Sequence, residues 1–382
     1  MTLTRRKMIF LVGGGAVLAA GGAFGYAATR TPQTAHLPWG MAGTYSDPRM
    51  RTLSWALLAP NPHNRQPWLA DLSEDGVVTL YADQDRMLPH TDPYNRQITI
   101  GIGCFIELLR MAAAEEKFTV DTELFPQGSH PSQLDRRPIA RISFTADPAV
   151  KNDPLFALVP VRRSNKEPFD MNRPVAAALL SDLGAVVRNG TMFGGTVDPT
   201  EVDAWRALTR EALRIEIETP HTFQESVDLF RIGRHEVDAN PDGIDFTGPL
   251  FESLRLTGQF SREAASDPTS FAYSSGKDAV FANTDTAMGH VWLVTDDNSR
   301  ETQIAVGADW LRINLAATAL GLGFQPLSQA LQEFPEMAVP YRQVHERLAP
   351  GGGTVQMLSR IGYGPKVGKS PRWPLESRIM NV

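Results

Sequence analysis

The sequence predicts an α+β fold built from two fused copies of one module. Three observations predict it. Apolar residues recur with the helical period in some stretches and alternate between turn residues in others, in both halves of the chain. The 382 residues, 42% hydrophobic and 21% charged, supply core for one large or two ordinary domains and exclude a disordered chain. One segment also repeats without gaps. Placing Gln97 on Gln303 brings Ile98 onto Ile304, Ile100 onto Val306, Gly101 onto Gly307, Leu109 onto Leu315, Ala113 onto Ala319 and Phe118 onto Phe324. A shared helix start, apolar face and exit Phe read as two copies of one unit.

The elements follow in order. Asp47-Pro48 is a helix start, with a capping carboxylate and Pro at the first position. That helix, over 48–58, must stop at Pro60 and Pro62. Strands over 69–72 and 77–81 flank the turn Glu74-Asp75-Gly76, and a helix spans 96–116. Two more strands are expected at 119–124 and 139–144. In the second half, helices are predicted over 173–182 and 201–218. The second has Asp198-Pro199-Thr200-Glu201 as its capping box and Val202, Trp205, Leu208, Ala212 and Ile215 on one face. Residues 220–290 are polar and punctuated by Gly and Pro, with a strong turn at Asn240-Pro241-Asp242-Gly243. They read as an insertion, of the kind that covers a site as a lid. A long helix over 300–322, a short one over 341–348 and a strand over 354–361 complete the chain. The domain limits are then 44–150 and 155–382.

The first 28 residues stand apart. Thr4-Arg5-Arg6-Lys7-Met8-Ile9 has the twin-arginine pattern, followed by a weakly apolar stretch to Ala28. Gly25 and Ala27 offer a cleavage site after Ala27. Export by the twin-arginine machinery is expected, to a periplasmic or other extracytoplasmic location, with a retained membrane anchor as the alternative. The formal net charge is −6, and losing Arg5, Arg6 and Lys7 makes it more negative, so the basic footprint of a nucleic-acid binder is missing. A bound anion would need a local cluster of Arg and Lys. The one cysteine, Cys104, lies in an apolar run and reads as a buried thiol.

Four segments carry a resemblance. Pro60-Asn61-Pro62-His63-Asn64-Arg65-Gln66-Pro67-Trp68 resembles the loop P-S-x-x-N-x-Q-P-W of the nitroreductase family, and Arg162-Arg163-Ser164-Asn165-Lys166 resembles its R-R-S-x-R/K motif. Ala317-Thr318-Ala319-Leu320-Gly321-Leu322-Gly323 resembles the end of its central helix, and Ser370-Pro371-Arg372-Trp373-Pro374-Leu375-Glu376 its R-x-P-L-E tail. The order is inverted here, because the Gln-Pro-Trp loop precedes the arginine pair. The family's proteins are homodimers whose loop reaches into the partner's site. The resemblance therefore implies a nitroreductase-like pseudo-dimer with central antiparallel or mixed sheets flanked by helices. One site would form across the fusion, in a monomer of the fused Acg-type branch. Pro62 stands where the family favours Ser.

The resemblance implies FMN as cofactor, with NAD(P)H or another electron donor as partner. Arg162, Arg163 and Arg372 are the expected phosphate ligands, since guanidinium forks match phosphate oxygens. Lys166 would serve the ring edge and Ser164 the ribityl chain or phosphate. Asn61, His63, Asn64 and Gln66 are expected from the loop, and Gln325, Pro326, Leu327 and Ser328 from the segment after the glycine turn. Backbone N–H groups of Leu327 and Ser328 are the candidates to face flavin N5, and Gly323 is expected to let the backbone approach the ring. No side-chain acid or base is required for hydride transfer. Two functions remain open at this point. One is reduction of a small nitroaromatic or quinone-type electrophile. The other is storage of FMN beneath the lid. Competing motifs fail: Tyr363 occupies the first Gly position of a phosphate loop ending at Gly368-Lys369-Ser370, and neither His235-Glu236 nor His345-Glu346 has the second His of a zinc site.

Overall fold

The computed structural model describes residues 29–381. The twin-arginine pattern, the apolar stretch and its cleavage site lie outside the described residues. A short helix α1 (Pro38–Met41) leads to α2 (Pro48–Ala56), which starts as expected: Asp47 accepts the Arg49 amide at 2.8 Å and Pro48 takes the first position. Strands β1 (Trp68–Asp71) and β2 (Val77–Ala82) form a hairpin. Helix α3 (Arg96–Glu115) follows, its first amides held by the Asp92 carboxylate, and β3 (Phe118–Leu124) and β4 (Ala140–Ala146) close the first module.

The second half opens with α4 (Ala178–Gly184), β5 (Met192–Thr196) and α5 (Pro199–Glu218), which Asp198 caps. Then come α6 (Pro220–Asp228), β6 (Phe230–Ile232), α7 (Arg234–Ala239), β7 (Ile244–Phe246), α8 (Pro249–Leu256), α9 (Arg262–Ser266) and α10 (Phe271–Thr284). The chain returns through β8 (Gly289–Thr295), α11 (Arg300–Ala319), β9 (Gly323–Pro326), α12 (Ala338–Leu348), β10 (Thr354–Gly362) and β11 (Ile379–Asn381).

The two modules share one topology. The first sheet has the order β11-β1-β2-β4-β3 and the second β5-β8-β10-β9. Leaving out β11, each sheet has two antiparallel strands, a long helix, an edge strand and a strand that returns between them. The helix in each is the half of the repeat read from the sequence, and Phe118 and Phe324 lie at the starts of the matching strands, first in β3 and second in β9. What differs is the connection between the first two strands. It is a tight turn after Asp71 in the first module. In the second it is the whole stretch from 197 to 288, including a small parallel sheet of β6 and β7. The insertion expected over 220–290 therefore occupies a hairpin connection, and α5 belongs to the same excursion.

Helices α3 and α11 cross in the centre of the molecule. A Cβ added at Gly103 would lie 2.2 Å from the Ile304 carbonyl oxygen, and one at Gly307 would lie 2.1 Å from that of Ile100. The two contacts run in opposite chain directions, so the helices pass antiparallel with their backbones touching. The Cys104 thiol donates to the Gly307 carbonyl at 3.1 Å inside this crossing, and burial pushes it up to about 12. Helix α3 is long and apolar enough to cross a membrane, but its surface is enclosed by the rest of the protein. Strand β11, from the far end of the chain, adds in parallel to β1 and completes the first sheet.

Candidate functional site

The loop between α2 and β1 lies at the junction of the modules and is strained. His63, Asn64 and Gln66 have φ of 46°, 51° and 52°, a region that costs non-glycine residues of order 1 kcal/mol each. Side chains hold it there. Asn61 Oδ1 accepts the Gln66 amide at 2.7 Å, and Gln66 donates from Nε2 to the Pro241 carbonyl at 2.7 Å and accepts the Trp373 amide at 2.9 Å. Asn64 donates to the Pro371 carbonyl at 3.1 Å and accepts from Arg372 at 2.6 Å. The loop is thus tied to the insertion on one side and to the tail on the other.

Against this loop sits a cationic cluster. Arg162 and Arg372 are both buried, and both donate to the Leu58 carbonyl at the end of α2. Arg372 also donates to Leu57, Ala59, Ser370, Pro371 and Asn64, so all three of its nitrogens are engaged. Arg163 donates to the carbonyls of Pro160 and Arg162 and stacks on the Trp39 ring at 4.4 Å. Burial and then the neighbouring Arg163 cation bring Arg162 down to about 10; burial, Arg162 and Arg163 bring Arg372 to about 9. Among the described residues no carboxylate forms an ion pair with any of the three. Among the described residues, Arg162 Nη1 and Arg163 Nε are enclosed and have no hydrogen-bond partner. Buried donors and unneutralised charge of this kind suit an anion. Beside them His63 Nδ1 is likewise enclosed and unpaired; burial, then Lys166 and Arg65, lower its pKa to about 4, so the ring is neutral at pH 7.

The 162–167 segment is fixed from beneath. Asn165 donates its amide to the Phe324 carbonyl at 2.9 Å and its side chain to the Pro365 carbonyl at 2.9 Å. Buried Arg360, on β10, donates to the Glu167 carbonyl at 2.8 Å and to Gln325 Oε1 at 2.6 Å, and stacks on Phe169. This leaves Ser164 and Lys166 exposed at the site.

The expected residues divide accordingly. Arg162, Arg163 and His63 each carry an enclosed, unpaired polar atom, and Ser164, Lys166 and Ser328 face open or half-open space. Asn61, Asn64, Gln66, Gln325 and Arg372 direct their side chains to hydrogen bonds within the protein. The Leu327 amide donates to the Leu358 carbonyl at 2.9 Å, which removes it as a donor to a ligand and leaves that of Ser328. Pro326 has no N–H and pairs across the sheet with Ser359. At Gly323 the close approach is made by the Phe169 ring, 2.6 Å from an added Cβ. Trp39, Asn165, Arg360 and Asp242 were missed. Nothing in their local spacing marks them, because their partners come from distant segments.

The insertion is bolted down beside the site. Buried Asp242 forms ion pairs with Arg86, Arg231 and Arg65 and accepts from the Trp373 indole at 3.2 Å. Burial raises its pKa, but Arg231 and Arg86 outweigh this and hold it below the ordinary value. From α6, Glu225 accepts the amides of His90 and Thr91 at 2.9 Å. No group of three or more metal-ligating side chains occurs among the described residues.

Comparison with known proteins agrees with the motifs. No family model matches the chain. A Mycobacterium tuberculosis protein described as "Putative NAD(P)H nitroreductase acg" is 28% identical over 326 residues, covering 83% of this chain and 89% of that protein. Another with the description "Putative NAD(P)H nitroreductase", from the same organism, is 24% identical over 318 residues, covering 82% and 84%. A solved nitroreductase-like family protein from Bacillus cereus aligns with a TM-score of 0.33 and 11% identity over 60% of this chain and 95% of its own, a likeness that decides nothing. Over most of its length, then, the chain is similar to proteins described as nitroreductases, and this supports the nitroreductase-family resemblance carried by its own loop, arginine pair and tail.

Proposed function

We propose that the protein is an exported FMN-dependent oxidoreductase that reduces a small nitroaromatic or quinone-type electrophile. The observation that carries this is the set of enclosed, unpaired donors on Arg162 and Arg163, beside His63 and Lys166, at the junction of the modules. Arg162 and Arg163 would hold the phosphate, and Ser164 the ribityl chain. Lys166 would place positive charge at one ring edge, where it favours the reduced, anionic form. FMN supplies the hydride chemistry when bound. The protein contributes orientation, exclusion of water by the docked insertion, and the Ser328 amide. Neutral His63 can accept a hydrogen bond at Nδ1 without adding charge.

The test uses the chain from Thr29, mixed with NADPH without oxygen while the flavin absorbance is followed. Bleaching supports the oxidoreductase. Arg163→Ala should lower flavin affinity about 10- to 100-fold, the worth of a charge-assisted hydrogen bond, and unchanged occupancy would refute the site. The docking of the insertion through Asp242, Glu225 and Pro241 favours a second reading, in which FMN is stored under a closed cover; a bound flavin that stays oxidised with several donors would support that instead.

A further inference from the structure

The segment that follows the export signal belongs to the site. Between residues 33 and 41 the chain forms a strap over the arginine cluster. Its far end is hooked to the insertion, where Asp238 accepts the amides of Gln33 and Ala35 at 2.8 and 3.0 Å. Its middle is pinned to the tail, where the Ala35 carbonyl accepts the Arg372 amide at 2.9 Å. Its near end carries Trp39, whose indole donates to the Ser370 carbonyl at 2.8 Å. The Trp39 ring lies 4.4 Å from the Arg163 guanidinium, 5.8 Å from that of Arg372 and 5.8 Å from the Lys369 ammonium. Three cations from two segments thus meet one aromatic ring, an arrangement favourable for each but unable to neutralise any.

This arrangement restricts what the cluster can hold. The two donors without partners, Arg162 Nη1 and Arg163 Nε, are sealed from solvent. Arg163 Nη1 is spent on the carbonyls of Pro160 and Arg162, and its guanidinium lies over the indole. The strained loop borders the cluster through the Asn64–Arg372 contact, and Trp39 borders it through Arg163 and Arg372, so an anion held by Arg162 and Arg163 would lie beside the indole. Any group attached to the far side of that anion would have to occupy the place of the indole.

We propose that Trp39 is the outer wall of the anion pocket and restricts it to a terminal phosphomonoester, so that a flavin mononucleotide is accepted and a dinucleotide extended through its phosphate is rejected. The identity of the ester rests on the flavin reading above; the restriction itself does not. Strap closure and anion binding are coupled on this view, because the closed strap buries charge that only an anion neutralises.

The experiment compares the chain from Thr29 with Trp39→Ala and with Asp238→Ala, which unhooks the strap away from the pocket and tests the strap should Trp39→Ala fold poorly. Binding of FMN, FAD and riboflavin is measured by fluorescence. Binding of ribitol 5-phosphate and its phosphate methyl ester is measured by calorimetry. The unaltered chain should prefer FMN to FAD, and monoester to diester, by at least about 100-fold, a discrimination that steric exclusion readily supplies. Both variants should cut that preference about tenfold or more and leave riboflavin affinity unchanged. If both variants fold and keep the full preference, the wall is not Trp39 and the proposal is overturned. If no flavin binds but the monoester preference is present and falls in the variants, the proposal stands and the flavin reading fails.

Discussion

Glu216 shows how a single side chain can set the pH response of the molecule. It lies on α5, 6% exposed, with Oε2 unpaired and with Gln332 and Gln329 as neighbours. Burial raises its pKa from 4.5 to about 7, more than the two glutamines lower it, and Glu225 adds to the rise. The folded protein therefore keeps a proton that the unfolded chain gives up. Stability from this group is intact below pH 4.5 and is lost as pH rises to about 7. The loss amounts to about 3 kcal/mol. Glu216→Gln should flatten this part of the curve, so that urea midpoints at pH 5 and pH 7.5 converge relative to the unaltered protein; parallel curves would show that Glu216 is not buried as a neutral acid. Sequence reading at this scale names Arg162 and Arg163 from one short contiguous motif and His63 from another. It does not foretell that Arg372 and Asn64 bond to each other, because a motif names residues and not their hydrogen-bond partners. Trp39 and Asp242 could not be found that way, since Trp39 meets Arg163 and Arg372, and Asp242 meets Arg65 and Arg86, across more than a hundred residues of sequence.

Among the elements, the insertion has the most conditional attachment. Asp242 sits under three arginines, and removing it leaves Arg65 and Arg231 without their ion-pair partner and Arg86 with Asp83 alone. Asp242→Ala should cost about 3 to 5 kcal/mol, the usual penalty for breaking a buried ion pair. The loss should be regional. Hydrogen exchange should quicken in α6 to α10 and in the 61–66 loop, while β2 and β4 stay protected; uniform exchange would mean that the insertion and the modules open as one unit. The start of α2 and that of α5 were legible because capping acids and prolines are local signals. Strands β5, β8, β9 and β11 were not. Strand β8 is buried on both faces, so it lacks the alternation that marks a half-exposed strand. Strands β9 and β11 are four and three residues long. They are too short for a period to show.

For the whole molecule, the crossing of α3 and α11 is decisive. Glycine to alanine inside a helix ordinarily gains about 1 kcal/mol. At Gly307 the added methyl would meet the Ile100 carbonyl at 2.1 Å, and main chain cannot move aside cheaply. Gly307→Ala should therefore destabilise the whole protein by about 3 kcal/mol, whereas Gly276→Ala in α10, which meets nothing within 4 Å, should leave stability unchanged or raise it. Thermal melting of the two variants decides the matter, and equal melting points would place the helices farther apart. The ungapped match of 97–118 to 303–324 had already located this pair. What it could not foretell is that the strand order repeats too, because pairing is a property of contacts remote in sequence.

One further consequence lies in the pairing of Ala70 with Ile379. The ribosome releases β1 early and β11 only after both long helices have been made. Until then the first sheet has an open edge, and Arg372 and Trp373 are missing from the loop they brace. Neither half is therefore a self-sufficient folding unit, and splitting the gene between the modules should yield two fragments that mature only in each other's presence. Assembly of the arginine cluster thus waits until the segment around Arg372 has been made, after both long helices.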